Sequence, residues 1–334
     1  MTHKRLYSKR DWKRVRRGRP CPVCSRYNKP CAFIPDEVAI CINVRSDREV
    51  AGCMPGWLHF LRPFEPARIV TPTRQVETPS PLAPIGHRDA VYSALLRLLD
   101  LSDKHKMNLH ARGLSDFAIT RNCYRSTAVV DSDETAERAW QIIQALDLGL
   151  VGVPGFQRRG DAWYLLRTRP GFFVPHRDEH GRIQAMQYRL DEPFGGRKYV
   201  WFSSSECSSG APVHHAHFHL LPDADEVVVT EDALKADVIA HLAQAPVIGI
   251  AGVGTFGAGF ADHLRAVAPN LRAVVVAYDM DVLYKSEVLR ALESLTAQLQ
   301  RARFRVRVRT WPPEWKGYDD YLLAQLQTEE VRAA

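Results

Sequence analysis

The chain has 334 residues, 46% of them apolar, enough to bury a sizeable core and to build two or three domains. Its 45 Lys and Arg outweigh 38 Asp and Glu, for a net charge of +7. No stretch approaches the ~20 uninterrupted apolar residues of a membrane span, and no apolar run follows the basic start, so the expectation is a cytoplasmic protein without a secretory signal.

Residues 1–20 read as a basic arm: residues 3–19 hold nine Lys or Arg against the single acid Asp11. Such a block attracts polyanions. Cys21-Pro-Val-Cys24 follows, then Cys31 and Cys41. Two thiolates on a tight Cys-x-x-Cys turn face one ion, and two more cysteines complete a tetrahedral zinc site. Cys53 or His59 is an alternative for the third or fourth ligand, because Cys31 and Cys41 do not form a second close pair. Residues 21–61 are therefore expected to form a zinc-binding module. The short apolar runs at Phe33, Ile34, Val38, Ile40, Ile42 and Val44 suit a small β-ribbon, and burial alone would not hold so small a module together.

Residues 62–87 carry six prolines and read as a linker. Residues 88–150 are expected to be helical, with Val91, Leu95, Leu98 and Leu99, then Ala139, Ile142, Ile143 and Leu146, recurring at helical spacing. Between 151 and 222 the pattern changes. Trp163–Leu166, Gly171–Pro175, Gly181–Arg189 and Lys198–Phe202 form a meander of strands separated by turn residues. His215, His217 and His219 would share one face of a strand, where a second zinc is conceivable with Cys207 as the nearby completing ligand; a loop or edge strand is the plainer reading.

Residues 223–325 carry the most informative pattern. Glu226-Val-Val-Val-Thr and Ala273-Val-Val-Val-Ala are unbroken apolar runs, as expected of parallel strands covered on both faces, and each is followed by a helical pattern. Each ends in acids: Glu231 after the first, Asp279 and Asp281 after the second. In open α/β sheets the ligand crevice lies outside the carboxyl ends of the strands, so these carboxylates would crowd together and need a hard cation such as Mg²⁺ or Mn²⁺. A small-residue turn, Gly249-Ile-Ala-Gly252-Val-Gly254-Thr255, lies between the strands. A helix over Ser286–Arg301, a strand over Phe304–Val308 and a Trp311-Pro-Pro turn close the region. No Walker lysine motif is present, so a fused ATPase is not expected.

A glutamate closing one strand and an Asp-x-Asp closing the next resemble the Toprim domain of bacterial primases, topoisomerases and some nucleases. Lys316-Gly317-Tyr318-Asp319-Asp320 sits where bacterial primases place a further acidic site, and a zinc module also opens those proteins. The meander resembles the basic N-terminal half of the primase core. The resemblance is closest to primase-like proteins of phages, plasmids and integrated elements. It implies an α/β fold, with a Toprim-like parallel sheet flanked by helices behind a small basic α+β subdomain and a zinc-ribbon-like module. It implies catalytic and Mg²⁺- or Mn²⁺-binding roles for Glu231, Asp279 and Asp281, and binding of template and nucleotide phosphates by Arg177, Arg189 and Lys198, with Lys235 beside them. The implied activity is RNA primer synthesis on single-stranded DNA from nucleoside triphosphates, in company with a separate replicative helicase. One departure stands out: primases have Gly after the glutamate and an acid four residues on, where this chain has Asp232 and Lys235. A cation at that position motivates the alternative of a non-catalytic nucleic-acid-binding replication protein; a Toprim nuclease is a further alternative.

Overall fold

The computed structural model describes residues 12–27, 31–46, 49–50, 56–61, 81–127, 132–147, 149–203, 216–219, 223–252, 256–257, 259–280 and 285–333. They belong to two compact units, Met1–Val76 and Glu77–Ala334.

The first unit is a five-stranded sheet built from β1 (Lys13–Arg14), β2 (Ala32–Ile34), β3 (Val38–Cys41), β4 (Glu49–Val50) and β5 (Gly56–Phe60). The strand order is β1-β2-β3-β5-β4, with every pairing antiparallel. Phe33, Ile34 and Val38 are buried, and because Phe33 and Ile34 are successive residues, both faces of β2 are covered. The apolar pattern continues to Val44, but β3 stops at Cys41 because the chain bends there to bring Asn43 onto the thiols.

The second unit opens with α1 (Ile85–Arg97), which begins inside the stretch read as linker: Pro84 stands just before its first turn, where a missing N–H costs nothing. It is followed by α2 (Asp103–His110), α3 (Asp116–Arg121), β6 (Arg125–Ser126) and α4 (Ser132–Leu146). Ser102 and Ser115 cap α2 and α3. Then come β7 (Phe156–Arg159), β8 (Ala162–Leu165), β9 (Gly171–Arg177), β10 (Ile183–Phe194) and β11 (Arg197–Trp201). Four of these strands form an antiparallel sheet in the order β11-β10-β9-β6. Its apolar side shares one core with α1 and α4, through Tyr92, Leu95, Ile142, Phe173, Met186 and Phe202.

The last sheet contains β12 (His217–His219), β13 (Glu226–Thr230), β14 (Val247–Gly249), β15 (Ala273–Val276) and β16 (Arg305–Val308), in the order β12-β14-β13-β15-β16. All neighbours are parallel except the edge strand β12. The helices are α5 (Ala233–Ala243), α6 (Phe260–Val267), α7 (Ser286–Arg301) and α8 (Tyr318–Ala333). Side chains alternate across the sheet. Val227, Val229, Val274 and Val276 pack with Phe260, Leu264, Leu295 and Leu299 of α6 and α7. Val228, Val275 and Ala277 pack on the opposite face with Ala236 and Ile239 of α5 and Tyr318 of α8. Each valine so buried contributes about 1.5–3 kcal/mol, which explains the absence of polar alternation in the two runs. The other side of α5, through Leu234 and Val238, meets Phe172 and Val174 of β9, so this helix is covered nearly all round.

Candidate functional site

The first unit carries the cysteine cluster. Cys21, Cys24, Cys31 and Cys41 place their sulfurs within 4.8 Å of one another, with Cys31 and Cys41 4.0 Å apart. Tetrahedral zinc with Zn–S near 2.3 Å needs sulfurs about 3.8 Å apart, so the four fit one ion with small adjustments. Burial, aided by the neighbouring thiols, pushes Cys31 up to about 12. At Cys24 burial is outweighed by the Arg26 backbone N–H and the Asn43 amide, and its thiol falls to about 7. A buried thiol cluster of this kind ionises together only with a cation among it. His59 is not part of it: its Nε2 lies 3.0 Å from the Val44 carbonyl. Cys53 lies outside the described residues.

In the second unit the acids converge at the carboxyl ends of β13 and β15. The strands are parallel neighbours in register, and Asp279 N–H donates to Glu231 Oε1 at 3.0 Å. Asp232 caps α5, accepting from Lys235 N–H at 2.8 Å. The cap aims the first turn of the helix inward, and the Lys235 ammonium bonds Asp279 Oδ1 and lies 3.8 Å from Glu231 Oε2. Lys316 Nζ lies 2.9 Å from the other oxygen of Asp279 and is itself placed by its carbonyl, which accepts Met280 N–H at 3.0 Å. The Asp279 side chain is only 2% exposed. Burial acts to lower the pKa of Lys235, but Asp232, Asp279 and Glu231 overcome it and hold the ammonium above the ordinary lysine value.

Asp319, in the first turn of α8, lies near enough to act on Lys235 and is 3.9 Å from Arg112. Burial pushes its carboxyl up to about 6, with Asp320 and Asp232 adding and Lys235 and Arg112 opposing. Two glycines make close approaches here, Gly317 to a side-chain end and Gly249 to backbone, and only the second requires glycine. A Cβ on Gly317 would stand 2.1 Å from Asp319 Oδ1, and one on Gly249 2.5 Å from the Asp232 carbonyl. Asp281, the expected third acid, lies outside the described residues, as do Val253 to Thr255 of the glycine-rich turn.

The basic residues divide. Arg189 stands across the β10–β11 ladder from Tyr199. The Tyr199 phenol is raised first by burial and then by Asp232, while Arg112 and Arg189 act against the shift, so this edge of the meander borders the acid centre. Arg189 also lies over the Phe172 ring. Lys198 is exposed on β11. Arg177 is elsewhere, on a cleft of about 470 Å³ with Arg121 and His219, and its guanidinium donates to the Gly181 carbonyl at 2.9 Å.

A second cluster, His217, His219 and Asp237, forms where β12 meets α5. The edge-strand reading of the histidines holds. The completing acid is Asp237 rather than Cys207, which lies outside the described residues together with His214 and His215. Asp237 escapes a reading of the strand alone because it comes from a helix 18 residues on. Its signal is a lone acid in the otherwise apolar stretch Ala236–Ala240.

Among the described residues no helix is long and apolar enough to cross a membrane. A family profile described as a domain of unknown function (DUF3854) matches residues 223–329. No curated protein matches the chain. Among solved structures, the chain is similar to the zinc-binding and RNA polymerase domains of the Aquifex aeolicus primase (13% identity, TM-score 0.56), over 75% of this chain and 61% of that one. A DnaG primase catalytic domain bound to single-stranded DNA matches at 16% identity and TM-score 0.51, over 75% of this chain and 79% of that one. The RNA polymerase domain of Mycobacterium tuberculosis DnaG, in complex with a double-stranded DNA oligomer bearing a 6-nucleotide overhang, matches at 14% identity and TM-score 0.52, over 74% and 81%. The fold is thus that of the catalytic core of bacterial primases. The particular proteins it resembles are the DnaG primases, and the four-cysteine cluster fits the zinc of such a protein.

Proposed function

We propose that this chain carries out primase-type nucleotidyl transfer, joining ribonucleotides on a single-stranded DNA template. The observation that carries the reading is the meeting of Glu231 and Asp279 at the ends of adjacent parallel strands, with Arg189 on the bordering edge of the meander and Arg112 3.9 Å from Asp319. Glu231, Asp279 and Asp281 are the residues that would hold Mg²⁺ or Mn²⁺. A divalent ion bound there would stabilise the charge that develops on the attacking and leaving oxygens of phosphoryl transfer.

The chain's own residues would do the rest. Glu231 fixes the peptide of Asp279 and thereby the direction of its carboxylate. Lys235, 15% exposed, keeps Asp279 Oδ1, whereas the Lys316 side chain is 67% exposed and can leave Oδ2 for an incoming phosphate. Arg189 and Lys198 offer a planar donor fork and a point charge to template or nucleotide phosphates. In this reading residues 21–61 and the basic arm hold the template, residues 151–222 guide strand and triphosphate, residues 223–325 hold the acids, and a separate helicase supplies the single strand.

A second reading, a nucleic-acid-binding replication protein without catalysis, is favoured by the lysines on both oxygens of Asp279. Incorporation of labelled ribonucleotides on single-stranded DNA, with Mg²⁺ or Mn²⁺, separates the two. Primers in the presence of metal support the transferase, and DNA binding without any product supports the accessory protein.

A further inference from the structure

Away from the acid centre, three candidate ligand atoms of mostly buried side chains face one another. His217 Nε2 lies 2.9 Å from His219 Nε2 and 3.1 Å from Asp237 Oδ1, and His219 Nε2 lies 2.5 Å from the same oxygen. The His217 and Asp237 side chains are 1% exposed and that of His219 17%. Residues 217 and 219 alternate onto one face of edge strand β12. Asp237 stands two residues after Lys235, roughly 200° further round α5, so it faces β12 and not the acid centre.

We propose that His217, His219 and Asp237 form a second metal site, for a borderline divalent cation of the Zn²⁺ type. Two imidazoles and one carboxylate are a donor set that suits zinc and its first-row neighbours, leaving a fourth position for water. Without an ion, both imidazoles must turn an Nε2–H toward a single carboxylate oxygen, which presses two N–H groups together. One cation would instead take all three lone pairs. Tetrahedral zinc needs its ligand atoms about 3.3 Å apart, so each side chain has to draw back by only a few tenths of an ångström. The Tyr124 hydroxyl donates to the second oxygen of Asp237 and holds the carboxylate in place. Entry is through the cleft on which His219 and Arg177 lie.

Loading has a structural consequence. His217 Nδ1 accepts the Arg177 backbone N–H at 2.9 Å, so the ion-free imidazole carries its proton on Nε2. An ion on Nε2 moves that proton to Nδ1 and displaces the Arg177 N–H. The metal therefore clamps β12 to α5 while loosening one hydrogen bond to the end of β9.

The test is Co²⁺ titration of the full chain after metal removal, in excess Mg²⁺ so that the acid centre is already filled, with imidazole ¹⁵N NMR of a parallel Zn²⁺ titration. Two equivalents are expected: one with intense thiolate-to-cobalt charge transfer, one with weak ligand-field bands only. His219→Ala and Asp237→Asn should each abolish the second equivalent alone, Cys21→Ser/Cys24→Ser the first alone, and Glu231→Gln neither. Should Asp237→Asn not fold, His219→Ala, at the more exposed position, decides. NMR should show the His217 proton moving from Nε2 to Nδ1 with the second equivalent. Binding of a single equivalent, or a second equivalent that survives His219→Ala or is lost in Glu231→Gln, overturns the assignment.

Discussion

Replacing Lys235 by Met tests how the acid centre is balanced. The ammonium is bonded to Asp279 Oδ1 and lies 3.8 Å from Glu231, while Asp279 is 2% exposed. Methionine keeps the length and the helix propensity of the side chain and removes the charge. Breaking a buried pair by deleting one partner costs ~3–5 kcal/mol. Lys316 Nζ, 2.9 Å from the other oxygen, remains, so the expected loss is at the low end, about 3 kcal/mol at pH 7 in EDTA. Urea denaturation followed by far-UV circular dichroism measures it. The variant should also gain more from Mg²⁺ than the parent does, because the site then lacks its fixed cation; metal at a hundredfold excess over Kd restores ~2.7 kcal/mol. A variant within about 0.5 kcal/mol of the parent, the range of ordinary surface changes, or one that gains no more from Mg²⁺ than the parent, would refute the charge-balance argument.

Asp319→Asn should stabilise the metal-free protein above pH 6. The folded carboxyl titrates near 6 against an ordinary 3.8, so the folded state binds the proton more tightly and the parent loses stability as pH rises from about 4 to about 6. The difference amounts to at most ~3 kcal/mol, should vanish below pH 4, and is read from melting curves across that range. Cys21→Ser/Cys24→Ser should reduce zinc content by one ion per chain and unfold the first unit, read by metal analysis and limited proteolysis. Binding to single-stranded DNA should weaken steeply between 50 and 200 mM salt, since each phosphate contact releases counterion; Arg189→Ala/Lys198→Ala should flatten the slope of log K against log salt, measured by fluorescence anisotropy.

Much of the fold was legible because burial on both faces writes itself as runs such as Val227–Val229 and Val274–Val276, and the helix expected near Ser286 to Arg301 is present as α7. The convergence of Glu231 and Asp279 followed from strand ends alone. What escaped depends on contacts between distant elements. Lys235 could be seen as a cation at the wrong place, but not that Lys316, 81 positions on, would take the second oxygen of the same carboxylate. Arg177 and Arg189 look alike in sequence; the sheet puts one at the β12 cleft and the other beside the acids. Asp237 meets the histidines of β12 only because α5 packs against that strand, a contact between elements that no local pattern records.

The central claim is that Glu231 and its partners support metal-dependent nucleotidyl transfer, and Glu231→Gln probes it most directly. The amide keeps the Oε1 acceptor for Asp279 N–H, so the strand ends should hold their geometry while one anionic ligand is lost. Primer synthesis on single-stranded DNA with Mg²⁺ or Mn²⁺ is the assay, run beside melting curves of both proteins. The account predicts metal-dependent product from the parent, a loss of several orders of magnitude in the variant, since metal-ion stabilisation is worth several kcal/mol and each ~1.4 kcal/mol is tenfold, and little change in melting temperature. A parent that makes no primers with either metal, or a variant that matches the parent, contradicts it.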